Sequence, residues 1–132
     1  MGGRGSSSGM QSGGGWGRQP ELSGSDKQVS WANNIRQRAM ETIDFNLKSA
    51  REHYERTHIV ESMIRRDLYG DMKNELSGIL QRTTNASDII NMRDRISAQN
   101  IRNMVDRMAR DMATQVSYGW IYDRKTHRTR RK

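Results

Sequence analysis

The chain has 132 residues, with 23 Lys and Arg against 15 Asp and Glu, a net charge of +8 and no cysteine. That length holds one domain, and the missing cysteines exclude a disulfide framework, a thiolate metal site and a cysteine nucleophile. Only 33% of residues are hydrophobic, and Leu, Ile, Val and Phe together make about 15%, which argues against a self-sufficient enzyme and for a small, basic, helical interaction protein.

Residues 1–24 hold nine of the twelve glycines, five serines and the single proline, Pro20. Such a stretch buries too little surface to offset its ordering entropy, so it is expected to be a flexible arm. Its one aromatic, Trp16 between Gly15 and Gly17, is either a docking anchor or incidental, and the composition favours the second. The opening is Gly/Ser rather than apolar, so no signal peptide is expected.

Residues 25–116 are expected to form an all-α body of three to five helices, some long, because no proline follows Pro20. Ser25 followed by Gln28 has capping-box spacing, and Ala32, Ile35, Ala39, Ile43, Leu47, Ala50 and Tyr54 then recur at steps of three and four. Trp31 borders this face and reads as a packing anchor. Thr57-His58 either interrupts this helix or lies within it. A second stripe runs through Val60, Met63, Ile64 and Leu68; Gly70-Asp71 suggests a stop and a new start, after which Met72, Leu76, Ile79 and Leu80 continue. Residues 83–87 read as a loop with Ser87 as the next N-cap, followed by Ile89, Ile90 and Ile96, and Ser97 is a further cap. The last helix carries Ile101, Met104, Val105, Met108, Met112 and Val116, with the methionines expected in the core. Opposite charges at i,i+4, such as Asp44 with Lys48, Glu61 with Arg65 and Asp106 with Arg110, occupy the outer faces.

Residues 117–132 form the third part. Tyr118, Trp120, Ile121 and Tyr122 suggest a short strand or packed turn, and the last ten residues, DRKTHRTRRK, carry a net charge of +5 as a basic tail. The basicity of the protein is therefore concentrated at this end. Arg124, Lys125, Arg128, Arg130, Arg131 and Lys132 have the density needed to neutralise phosphates; Tyr118, Trp120 and Tyr122 could stack on unpaired bases, and of these Trp120 and Tyr122 are the candidate stacking residues. The competing reading is that these aromatics seal the core and the tail only solubilises.

Catalysis is the weakest reading. His53 and His58 are five apart and point about 140° away from each other on a helix, whereas two metal ligands on one face need a spacing of three or four. His127 has no neighbouring carboxylate in the sequence to orient it, and there is no phosphate-binding loop or nucleophile elbow. No enzyme activity, cofactor or metal is expected. No apolar run approaches the roughly 18–20 residues of a membrane span, so no membrane partner is expected either.

Two strings resemble small uncharacterised proteins encoded by phages and prophages. The opening MGGRGSSSG is similar to the Gly/Ser/Arg starts of phage accessory proteins, and residues 25–36, SDKQVSWANNIR, resemble an S/T-[DE]-K-Q-x-x-W-A-x-x-I-R pattern that opens a helical domain in such proteins. Residues 86–94, ASDIINMRD, depart from that group by lacking its Trp pair. The resemblance covers about forty residues and implies a binding protein in the host cytoplasm. With the positive charge, the resemblance implies that it engages nucleic acid or a nucleoprotein complex, as an anti-CRISPR inhibitor of an RNA-guided nuclease would. The alternatives are a phage assembly protein that self-associates through its helices, as a homo-oligomer, and a DNA-binding regulator.

Overall fold

The structure is a computed structural model that describes residues 15–132, so expectations for residues 1–14 lie outside the described residues. Four helices carry the fold: α1 (Asp26–Thr57), α2 (Val60–Arg82), the short α3 (Ala86–Asn91) and α4 (Ala98–Ser117). A two-stranded antiparallel hairpin follows, β1 (Ile121–Asp123) with β2 (Arg128–Arg130). The all-α expectation holds, with this small sheet added. No helix among the described residues is long and apolar enough to cross a membrane.

Helix α1 starts where the sequence says. Ser25 accepts from the Gln28 amide, and the Gln28 side chain accepts in return from the Ser25 amide, which satisfies two of the free donors of the first turn. The helix ends at His58, whose left-handed backbone (φ 56°) sends its amide to the Tyr54 carbonyl. Thr57 Oγ1 then accepts from the Ile59 amide, so α1 folds back onto α2 through a two-residue link.

Helix α2 runs unbroken through Gly70-Asp71, where a stop was expected. Glycine costs a helix only about 1 kcal/mol relative to alanine. The neighbouring Ile64, Leu68 and Tyr69 are buried, at roughly 1.5–3 kcal/mol each, and outweigh that cost. The N-cap of α3 is Asn85 rather than Ser87: Asn85 Oδ1 accepts from the Ser87 amide, which places Ser87 inside the helix. The helix stops at Asn91, so Ile96 lies in a turn and not on a continuing stripe. Ser97 caps α4 as expected, accepting from the Asn100 amide.

The core unites Ala39, Ile43 and Leu47 of α1, Ile64, Leu68, Tyr69, Leu76 and Leu80 of α2, Ile89 and Ile90 of α3, and Ile101, Val105, Ala109 and Met112 of α4. Helix α1 lies against α2, α3 and α4, and α2 also packs on α4. Of the methionine stripe, Met112 is buried, Met108 is half-buried and Met104 is exposed. Burial of Tyr69 pushes its hydroxyl up to about 12, reinforced by the charge of Asp106.

The described part of the expected arm, residues 15–24, is packed against the body. Trp16 is only 4% exposed and belongs to the core. Its indole Nε1 donates to Asp44 Oδ2 at 2.8 Å, and Lys73 Nζ sits 2.9 Å from Asp44 Oδ1 and 5.4 Å above the indole ring. Its carbonyl accepts from Ser77 Oγ at 3.0 Å and from Gln81 Nε2. Gly17 makes this approach possible: its φ is +74°, and a Cβ there would lie 2.4 Å from Gln81 Nε2. Further along, Ser23 pairs with the α2–α3 junction, its amide on the Thr84 carbonyl at 2.8 Å and its carbonyl receiving the Ala86 amide at 2.9 Å. Segment 15–24 thus straps α2 and α3 to α1. Trp31, by contrast, is 50% exposed beneath the guanidinium of Arg93 and is no core anchor.

Candidate nucleic-acid interface

The basic C-terminal segment is a hairpin fixed to the body, where a tail was expected. At the end of α4 the Tyr118 amide bonds the Thr114 and Gln115 carbonyls, and Gly119 (φ +96°) and the Trp120 amide, bonded to the Gln115 carbonyl, turn the chain back. Asp123 builds the tip of the hairpin. Its Oδ1 accepts from the Lys125 amide at 2.8 Å and the Thr126 amide at 3.4 Å, and its carbonyl accepts from the His127 amide at 2.8 Å. The Lys125 amide, with help from the Thr126 amide and from Arg130 and Lys125, holds the Asp123 carboxyl below its ordinary value. His127 takes the left-handed conformation (φ 57°) that closes the loop.

The register pairs Ile121 with Arg130, Tyr122 with Thr129 and Asp123 with Arg128. Alternation then sorts the side chains into two faces. Tyr122 and Thr129 face the helices. The Tyr122 hydroxyl donates to Asp67 Oδ2 at 2.8 Å, and Thr129 Oγ1 bonds Gln115 Oε1 of α4. Burial first, then the bond to Asp67, pushes the Tyr122 hydroxyl well above its ordinary value. His127 completes the attachment: its ring stacks on Tyr122 at 6.5 Å, and its Nδ1 lies 2.8 Å from both carboxylate oxygens of Asp71. The carboxylate that the sequence did not offer His127 comes from α2. Asp67 and Asp71 are one helical turn apart, so a single face of α2 holds the hairpin down.

Arg128 and Arg130 occupy the other face and are exposed, as are Arg124 and Lys125 at the tip and Arg131 and Lys132 at the open end. None of these six cations forms an ion pair with a carboxylate among the described residues. Within the body, Arg65, Arg66 and Lys73 are the cations in ion pairs with carboxylates among the described residues. Arg65 bonds Glu61 at 2.7 Å and Asp106 at 3.1 Å, Arg66 bonds Asp67, and Lys73 bonds Asp44. Asp44 and Asp106 therefore serve tertiary contacts rather than the i,i+4 pairs expected of them.

The two aromatic candidates have different fates. Tyr122 is half-buried and engaged in the attachment, its hydroxyl on Asp67 and its ring stacked on His127. Trp120 is half-buried, and the guanidinium of Arg131, its neighbour in register, lies 5.3 Å over its ring. The exposed aromatic is Tyr118, a residue that the sequence grouped with them without distinguishing it. Beside the hairpin, Leu47, Arg51, Asn74 and His127 line an open groove of about 400 Å³. Among the described residues no group of three His, Asp or Glu side chains is placed to hold a metal ion.

Comparison of the chain with protein-family models, with curated proteins and with solved structures finds no match.

Proposed function

We propose that the protein binds nucleic acid through its C-terminal hairpin, acting by contact and not by turnover, with the helical body as the mount. The observation that carries this reading is the outer hairpin face: Arg128 and Arg130, two residues apart, with Arg124 and Lys125 at the tip, all exposed and, beyond the charge they lend the single carboxylate Asp123, none in an ion pair among the described residues. Unpaired guanidinium and ammonium groups on a fixed ribbon neutralise phosphates with little ordering cost and release the counterions held there. The target we propose is a nucleoprotein, and the phage resemblance adds an RNA-guided nuclease to the candidates.

Binding of a radiolabelled oligonucleotide, measured from 50 to 300 mM salt, tests this. The affinity of the native chain should fall steeply with salt. An Arg128→Ala/Arg130→Ala variant should bind more weakly, with the log–log slope reduced by roughly 1.5–2. Binding indifferent to salt, or unchanged in the double variant, rejects the assignment. Capture of a nucleoprotein from host lysate that survives nuclease treatment would place the contact on its protein part.

A second reading, self-association along α1, is favoured by Phe45 and Trp31, 70% and 50% exposed and two heptads apart on that helix. Under it, the mass from light scattering rises with concentration, and Phe45→Asp abolishes the rise.

A further inference from the structure

The hairpin's cations account for attraction to any polyanion, but not for the aromatic side chain left bare next to them. Tyr118 is 81% exposed, more than any other large hydrophobic side chain described. Its ring makes no aromatic or cation contact and its hydroxyl no hydrogen bond among the described residues. It is nonetheless held firmly, because its own amide bonds two carbonyls of α4 and the next two amides, of Gly119 and Trp120, bond the Val116 and Gln115 carbonyls. A rigid backbone therefore presents a free aromatic face. The register continued by one pair sets Trp120 opposite Arg131, so Tyr118 lies at the open end of the hairpin, where Arg131 and Lys132 also lie. Arg131 stacked on Trp120 offers a second planar surface of the kind that bases stack upon.

We infer that the ligand of this hairpin is single-stranded nucleic acid, with an unpaired base stacked on Tyr118 while the Arg128/Arg130 face follows the phosphates. The inference rests on the proposed function and narrows its ligand class. In a duplex the faces of the bases are occupied by their neighbours, so Tyr118 gains nothing there; in a single strand each base has a face to offer, whatever its identity. The aromatic supplies the preference for strandedness, and the cations supply the sequence-independent attraction.

The full chain is titrated at fixed salt with single-stranded RNA, single-stranded DNA and a duplex, all of one length. The expected result is tighter binding of the single strands. Tyr118→Ala should weaken single-strand binding roughly five- to a hundredfold. Duplex binding and the salt slope should stay unchanged, and Tyr118→Phe should retain the native affinity. Because Tyr118 is exposed, the alanine variant should fold as the native chain does, which its helical circular dichroism checks. Equal affinity for duplex and single strands, or a Tyr118→Ala variant that binds single strands normally, overturns this inference and leaves the cationic hairpin standing. Failure of every nucleic acid to bind overturns the proposed function and this inference together.

Discussion

Arg36 lies on the core face of α1 with 8% of its surface exposed. Its Nη2 donates to Asn33 Oδ1 at 2.8 Å, but its Nη1 is buried with no partner. Burial lowers its pKa, the direction expected when a charge loses its water. An unmet buried donor costs about 1–3 kcal/mol, so Arg36→Met, which keeps the aliphatic stem, should raise stability by about that much in urea unfolding. Trp16 has the opposite sign. Its indole fills the core and its Nε1 donates to Asp44 Oδ2, and Trp16→Ala should lower stability by about 3–5 kcal/mol in the same measurement. Flanking glycines were the one sequence signal for this docking, since Gly15 and Gly17 both have positive φ and a bulkier residue at position 17 would strike Gln81.

At the scale of elements, α2 should gain from losing its glycine. A Cβ at Gly70 meets nothing within 4 Å, so Gly70→Ala should add roughly 0.5–1 kcal/mol, read as a rise in melting temperature. The hairpin carries a pH dependence through Asp123. The Lys125 amide holds its carboxyl below the ordinary value in the folded chain, so its contribution to the turn is fully present above the ordinary value and fades as pH falls through the lower, folded one. The amide resonances of Lys125 and Thr126 should follow that titration, and Asp123→Asn should remove it. Helix starts set by local chemistry, Ser25 with Gln28 and Ser97 with Asn100, were legible in the sequence because donor and acceptor lie three residues apart. Asn85 was not, because its backbone is fixed by Ser23, some sixty residues earlier. The hairpin was half legible. Thr129 between Arg128 and Arg130 shows the alternation of a strand, but the groups that pin it, Asp67 and Asp71, lie on another element. For the same reason spacing alone could not separate Tyr122, which packs, from Tyr118, which does not.

The whole molecule separates its charge from its core. Six cations against one carboxylate lie within residues 123–132, and this density of positive charge at one end gives the protein an electrostatic direction of approach to a polyanion. Function and stability should therefore be separable. Arg128→Ala/Arg130→Ala should change unfolding by no more than about 0.5 kcal/mol, because both side chains are exposed and neither forms an ion pair among the described residues.

The three tryptophans differ in exposure: Trp16 is sealed in the core, Trp120 is half-buried beneath the Arg131 guanidinium, and Trp31 is half in water beneath that of Arg93. They make the protein its own set of optical probes. Iodide should quench emission from Trp31 first and leave Trp16 dark to the quencher until the strap lets go, while the proposed contact at the hairpin should be read as a change in Trp120 emission.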